Sequence, residues 1–549
     1  MKKTTRILAL ALALVLAFAL CACGGKAPAE QQQSETPSNP TVPTNPPAIE
    51  ATEAPKSAAT SDATVLNPDA VYGGTFTNNR STSPSGGLFS IYRFTGDVYI
   101  APCVQTLVRL DPLTNEIVPL LAKSVDFDVD KNQVTVKLQE GVKFHDGSEM
   151  TAEVVKWNID FMCENGQAGN LDNPSKVEVV DNNTLVISYD TFHLDAPNTM
   201  SQVYVYSKQT YDEKGLDYCL THPVGTGAFV FDEYIPDNMI KYVRNDNYWQ
   251  EGLPYLDGWN CLIMNDATTL EAAFANGEVS CFNHGNPMVA KDMMAMGYNL
   301  KTADCHSTRA FWGVMVNNKV EGDPWSDLKV RQAVLLYGID YKAMARTMGF
   351  PEEWATKQFN GVSALCYDEG VDYDQDTFDL EKAKAMLAEA GYANGFSTKI
   401  YTVITYVTAA TIWQAQLKEL GIDAEIVTLN SSDPIFYDGT TPGMYMMMFI
   451  GKYDFISGTI GRYFMGPNSY GNHVALSDEF KETLAKADAA KTWEERAELG
   501  KKLQKMMVVD ECFCVNAFYN TAFHFIQDYA HDSGFEYNTY IPELTWVEQ

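Results

Sequence analysis

Residues 125–138 leave the backbone little choice. Val125, Phe127 and Val129 alternate with polar residues, Asp130-Lys131-Asn132 interrupts the run, and Val134, Val136 and Leu138 alternate again. Side chains along a strand point to opposite faces with a period of two, so the stretch reads as a β-hairpin with one apolar face. Further on, Thr151 opens a segment in which Val154, Trp157 and Phe161 share one side of a helix over 151–162. Thr151 suits its N-cap and Glu153 its first turn. Between hairpin and helix lies His145-Asp146-Gly147. A His beside an Asp could be half of a catalytic pair or a metal site. Asp and Gly also meet the needs of a turn, and His145 is expected to hydrogen-bond that turn. Residues 176–189 form a second hairpin, with Asp181-Asn182-Asn183 between its two runs.

The second half of the chain reads differently. Helices are expected over 270–278, over 328–348, from an Asp379 cap to a Gly391 stop, over 409–420, and from the capping-box pattern Thr492-Trp493-Glu494-Glu495 onward. Residues 422–429 read as a strand. Gly225-Thr226-Gly227 lacks the Gly-Lys-Ser/Thr ending of a phosphate loop and reads as a tight turn before a strand at 228–231. Hairpins early and alternating strands and helices late give an α/β body with an α+β subdomain.

The N-terminus bears on the compartment. Lys2, Lys3 and Arg6 precede an apolar run from Ile7 to Ala22, the pattern of an export signal. Its 16 residues fall short of the about 18 that a spanning helix needs. The end of the run, Leu20-Cys21-Ala22-Cys23, resembles the lipobox of bacterial lipoproteins, which implies cleavage before Cys23 and lipidation of its thiol. Cys21 fits less well because the large Leu20 directly precedes it. The alternative is an ordinary secretory signal that contains cysteines. Acyl chains on Cys23 would anchor the chain, each buried methylene contributing about 0.8 kcal/mol. Residues 24–68, rich in Pro, Thr, Ser, Ala, Gln and Glu, cannot bury enough apolar surface to order. A semi-extended tether of this kind rises about 3.1 Å per residue and reaches on the order of 100 Å.

A formal net charge of −31 excludes nucleic-acid binding through a basic face. Without Cys21 and Cys23 the 11 cysteines leave an odd number, scattered and without a CxxC pair, so buried free thiols are expected rather than a zinc ribbon or a disulfide framework. The 8 histidines form neither HExxH nor His-x-His, and no metal or cofactor is expected. Ser326-Asp327-Leu328-Lys329 invites comparison with penicillin-recognising serine hydrolases. That chemistry needs SDN and KTG partners, and neither occurs in the sequence. Ser326 or Asp327 capping the next helix is the simpler reading; the hydrolase is the enzyme alternative.

Several blocks together resemble one family. "LAKSVDFD" with "VKLQEGVKFHDGSEMTAEVVKWNIDF", "PVGTGAFVFDEYIPDNMIKYVRNDNYW" (223–249), "LPYLDGWNCLIMNDATTLEAAFANGEV" (253–279), "SDLKVRQAVLLYGIDYKAM" (326–344) and "FDLEKAKAMLAEAGYANGF" (378–396) look like the extracellular solute-binding proteins of ABC importers, in the oligopeptide/dipeptide/nickel-binding family 5, and in family order. The resemblance covers roughly 69–545. It implies a two-lobed periplasmic-binding-protein-like fold of type II, with a hinge and an extra small α+β domain. Lobe I would comprise 69–112, 221–311 and 520–549, the extra domain 113–220 and lobe II 312–519, after a signal peptide at 1–22 and a tether at 23–68. The chain would be no enzyme. It would capture a di- or oligopeptide between its lobes and deliver it to the permease as a lipid-anchored monomer. Nickel chelate, haem or oligosaccharide on the same fold are the alternatives.

The resemblance also implies where a ligand would sit. In peptide-binding members a Gly-Trp-x-Ala-Asp-Tyr segment supplies an Asp that holds the peptide amine. Here the matching stretch is "MMFIGKYDFISG" (447–458), giving Gly451, Asp454 and Phe455. Lys452 or Tyr453 stands where the family has Trp, so Asp454 is either the amine anchor or a loop carboxylate. Phe311, Trp312 and Asn317 fall on the family's first hinge strand. Phe311 and Trp312 could both face a ligand only if that strand were irregular. Phe89, Tyr92 and Tyr99 fall where family members line the cleft from lobe I.

Overall fold

A computed structural model describes residues 66–548, apart from 81, 85, 94–96, 112–115, 265, 285–286, 302–309, 360–365, 369–370, 375, 431–432, 451–459, 461–463, 465–468, 520–522 and 536–538; at 310–311 and 449–450 it describes the backbone alone. The export signal, Cys23 and nearly all of the tether lie outside these residues, and so do Gly451, Tyr453, Asp454 and Phe455. The described residues belong to one unit, Ala51–Gln549.

Strand β1 spans Thr75–Arg80. The hairpin follows as β2 (Ala122–Asp128) and β3 (Gln133–Leu138), with Val125 opposite Val136 and Phe127 opposite Val134. Asn132 turns the chain at φ 56°, a left-handed conformation that Asn tolerates better than most residues. Helix α1 (Ala152–Met162) starts where Thr151 caps it by accepting a hydrogen bond from the Val154 amide. The second hairpin is β4 (Lys176–Asp181) and β5 (Thr184–Ser188), turned by Asp181, whose side chain accepts from the Asn183 amide. The four strands make one antiparallel sheet in the order β2-β3-β5-β4.

His145-Asp146-Gly147 fastens this small sheet to the Gly225-Thr226-Gly227 turn. The His145 amide donates to Gly225 O at 3.0 Å, and its Nε2 donates to Gly227 O at 2.9 Å. Asp146 accepts from Ser148, Ser207 and Thr210. The glycines are there because the turn at Pro102 and Cys103 is so near: a Cβ on Gly225 would lie 2.3 Å from Cys103 O, and one on Gly227 2.5 Å from Pro102 O.

β6 (Phe229–Ile235), β7 (Met239–Arg244) and β8 (Gly258–Ile263) join β1 in a sheet ordered β1-β8-β7-β6, with β1 parallel to β8. Phe76 packs on Trp259 with ring centroids 4.5 Å apart. These residues share one continuous core with Val134, Val136 and Leu185 of the small sheet, so the small domain is fused to the β1 sheet by apolar packing.

The chain continues through β9 (Cys281–His284), β10 (Ala310–Val316), β11 (Ser397–Val403), helix α2 (Val407–Glu419), β12 (Asp423–Leu429), β13 (Met444–Ile450), helices α3 (Asp478–Ala489) and α4 (Trp493–Lys505), β14 (Cys514–Tyr519) and β15 (Phe523–Ile526). A second sheet runs β12-β11-β13-β10-β14, with β12, β11 and β13 parallel and β10 antiparallel to both its neighbours. Its core, around Trp325, Trp413, Leu417 and Met444–Met447, is distinct from the first. The caps read from sequence form: Asp379 accepts from the Lys382 amide, Gly391 takes φ 92° beyond that helix, and Thr492 accepts from the Glu495 amide.

The helix expected over 328–348 is broken. Helical turns run from Leu328 to Gly338, Ile339 is extended, and a new helix begins at Tyr341. Asp340 caps that second helix through the Ala343 amide, so its side chain competes with continued helix. At the SxxK stretch Ser326 Oγ donates to Asp323 O, the Asp327 carboxylate caps through the Lys329 amide, and Lys329 Nζ bonds Glu389. Serine and lysine are thus committed to separate partners. Cys103, Cys219, Cys261, Cys281, Cys366, Cys512 and Cys514 are buried and outside any disulfide, as expected; Cys163 is half-buried, and Cys305 lies outside the described residues. Among the described residues no helix is long and apolar enough to cross a membrane.

Candidate functional site

Four strands of the five-stranded sheet, β11 to β14, end at one edge, and β10 begins there. Ligands of open α/β sheets bind outside such carboxyl ends, where loops diverge and backbone groups are left unpaired. The chain also enters and leaves the sheet here. It comes from Leu300 and Lys301 beside the ribbon of β9 and β15, whose Phe282, Phe523 and Phe525 belong to the five-stranded-sheet core; Lys301 N donates to His524 O at 2.7 Å, and the chain resumes at Ala310, opposite Ile450. It leaves the sheet at Tyr519, opposite Phe311, and resumes at Phe523, opposite His284 in the β9–β15 ribbon.

Aromatic side chains line this edge. Trp312 stacks on Phe518 (5.6 Å, 21°) and meets the edge of Tyr406 at 4.8 Å. Phe518 continues to Phe350, and Phe350 and Trp354 stack on Phe523 of β15. Trp312 is 7% exposed, yet its indole Nε1 makes no hydrogen bond. The pairing of β10 with β14 shifts register between Trp312 and Gly313. The extra residue, Ala517, belongs to β14, and β10 pairs with β13 without a break, so the shift does not make β10 itself irregular at Phe311 and Trp312. The Phe311 side chain lies outside the described residues.

Asn317 is not at this edge. It follows the opposite end of β10, roughly 20 Å along the strand. It is fully buried, its Nδ2 donating to Gly439 O and Thr441 O and lying 3.2 Å from His473 Nδ1, while its Oδ1 accepts from the Lys319 amide. Phe89 is 1% exposed, its ring against Phe161, Tyr206 and Tyr211, and presents no surface to a ligand in this conformation. Tyr99 is buried, which pushes its hydroxyl pKa up, and donates to Thr82 O at 2.7 Å. Tyr92 is half-buried.

Other groups stand at these edges that local sequence reading did not single out. Ile404, immediately after β11, is 77% exposed, and Tyr406 follows it onto Trp312. On the first core, β1 ends in Asn78, Asn79 and Arg80. Asn78 is fully buried with neither side-chain polar atom hydrogen-bonded, and Asn79 Oδ1 and Arg80 Nε also lack partners. Three polar residues in a row closing a short strand, "TFTNNR", are the signal that could have flagged them. The described residues hold one Asp/His group with metal-ligand spacing, Asp172, His193 and Asp195, and it belongs to the small domain rather than to this edge.

Two cores, each with its own sheet, define a two-lobed solute-binding fold. More narrowly, the chain belongs to the bacterial extracellular solute-binding proteins, family 5, whose middle region matches residues 116–480. Members of this family are binding proteins of transport systems, not enzymes. A glutathione-binding protein, GsiB, of Pectobacterium atrosepticum is 30% identical over 331 residues, 58% of this chain. The match spans 62% of that relative, less than two thirds of its length. The structure of DppA from Helicobacter pylori in complex with the peptide STSA superposes with a TM-score of 0.69 at 20% identity, covering 87% of this chain and 99% of DppA. NikA from Brucella suis in complex with Fe(III)-EDTA superposes with a TM-score of 0.71 at 19% identity, covering 86% of this chain and 98% of NikA. At such identities these two structures show the shared fold.

Proposed function

We propose that this chain is the substrate-binding protein of an ABC importer. It captures a di- or oligopeptide between its lobes and delivers it unchanged to the permease. Lobe I is assigned to 69–112, 221–311 and 520–549, the extra domain to 113–220 and lobe II to 312–519. The exported protein acts as a monomer, held to the membrane by lipidated Cys23 and a tether at 23–68.

The observation that carries the peptide reading is the carboxyl edge of the five-stranded sheet. It combines strand ends, whose backbone groups could hydrogen-bond an extended peptide, with the exposed Ile404 and half-buried Tyr406, which offer apolar and aromatic surface to side chains, Tyr406 lying against the buried Trp312. In the sequence, Asp454 comes shortly after Ile450, the last residue of β13. A carboxylate there would hold a peptide ammonium more strongly once closure removes water. Relatedness to a glutathione-binding protein agrees, since glutathione is itself a short peptide.

Native mass spectrometry of the protein as isolated tests the reading, followed by thermal-shift titration with glutathione and with di- to nonapeptides. A retained peptide, or saturable stabilisation by one length class, is the expected result. A retained metal chelate, haem or oligosaccharide with no response to any peptide would replace the peptide assignment.

A further inference from the structure

The small domain shares its core with the β1 sheet, yet one of its loops reaches the other core. Leu194 is buried among residues of the five-stranded-sheet core, and Phe192 packs against the same core while stacking on Phe127 of β2 at 5.8 Å. Next to them Asp195 and Arg496 of α4 form an ion pair, Oδ1 to Nη1 at 3.0 Å, with side chains 6% and 5% exposed. Asp172 and His193 join Asp195 with donor atoms all within 4.8 Å of one another. Asp488 of α3 faces the same group, its pKa raised by burial and by Asp195 and Asp172, against the opposing pull of Arg496 and His193. Between α3 and α4, Lys491 lies over the Phe192 ring at 5.9 Å and 3.6 Å from Asp130. Among these groups Arg496 is the one buried permanent cation facing several carboxylates.

We propose that this contact is a latch. The small domain travels with the β1-sheet lobe and grips the other lobe through Asp195 and Arg496, and the grip is released when the lobes part. The proposal rests on the two-lobed solute-binding reading. Its physical basis is the contrast between the small domain's two attachments. Apolar packing fuses it to the β1 sheet, and separating that would expose a continuous core. The attachment to the other core is smaller, with Leu194 and Phe192 beside a buried ion pair; what the pair gains by attraction is largely offset by desolvation, so rehydrating both of its ends costs little. Two lobes can part repeatedly at a contact of the second kind. Removing one partner while the contact stays closed leaves a buried charge without a counter-ion, and this favours release.

Hydrogen-exchange mass spectrometry on the ligand-free full chain tests the latch, comparing wild type, Arg496→Gln, Asp195→Asn and the double variant. Each single variant is expected to lower amide protection over Phe192–Ala196 and Trp493–Ala497 by about 100-fold or more. Protection within β1, β8, β11 and β13 stays at wild-type level, which also shows that the variants are folded. The double variant, with both charges gone, loses no more than either single one. Unchanged exchange in both segments overturns the latch, and so does a loss spread evenly over both sheets. The test contains no ligand, so a failure of the peptide assignment leaves it readable.

Discussion

Trp312 offers a sharp test because two opposing effects can be separated there. Replacing it with Phe keeps an aromatic ring against Phe518 and Tyr406 but removes the indole N–H. In the ligand-free protein that N–H is buried without a partner, a state that costs about 1–3 kcal/mol. The smaller ring leaves roughly 40 Å³ unfilled, worth about 1 kcal/mol at the usual cavity cost. Relief of the buried donor therefore equals or exceeds the cavity term, and Trp312→Phe is expected to leave stability unchanged or raise it by up to about 2 kcal/mol. Affinity should move the other way. If the ligand supplies the missing acceptor, losing the donor weakens binding by about 1–3 kcal/mol, a factor of about 5 to 150. Urea unfolding reads the first quantity, and calorimetry with the peptide found by native mass spectrometry reads the second. Unchanged affinity would show that the N–H does not meet the ligand. Destabilisation beyond about 2 kcal/mol would show that packing of the indole, not its unsatisfied donor, dominates.

Arg331 is buried and donates to Glu511 O, Trp325 O and Ser326 O. Arg331→Met strands these carbonyls and should cost about 3–5 kcal/mol in urea unfolding, with Arg331→Lys recovering part. Burial pushes the thiols of Cys103, Cys261 and Cys512 up to about 12. Iodoacetamide at pH 8 should leave them unlabelled, as read by peptide mass spectrometry, until urea unfolds the chain. Burial also holds the His145 imidazole below its ordinary pKa. The folded state therefore binds this proton less readily than the unfolded state. Its contribution to stability is complete above about pH 6.5 and is lost as pH falls through the lower folded value. His145→Gln should flatten that acid limb of the stability profile.

Much of the local structure was legible in the sequence, because the information lies within a few residues of where it acts. The alternation at 125–138 and 176–189 fixed which faces would be buried. Thr151, Asp379 and Thr492 announced helix starts through hydroxyl or carboxylate groups that bond an amide three residues on. The ordered blocks around them carried the family. Where such signals compete, reading fails: at 339–340 a cap interrupts a stretch whose periodicity alone suggested one helix.

The site was legible only in part. Trp312 was named from its strand. Asn317, on the same strand, proved to be at the opposite end from the carboxyl edge. Ile404 and Tyr406 carry no local mark of function, since each acquires its surroundings from chain far away in sequence. β13, "MYMMMFI", has no period to read, because a strand covered on both faces need not alternate. Sequence alone determined the turns, the caps and which residues must leave water, since those depend on near neighbours and on solvent. Tertiary structure decided that β10 lies between β13 and β14, that four strand ends gather at one edge, and that Asp195 meets Arg496. Such meetings are set by how two cores pack and by the order of strands in a sheet, and no short stretch of chain encodes either.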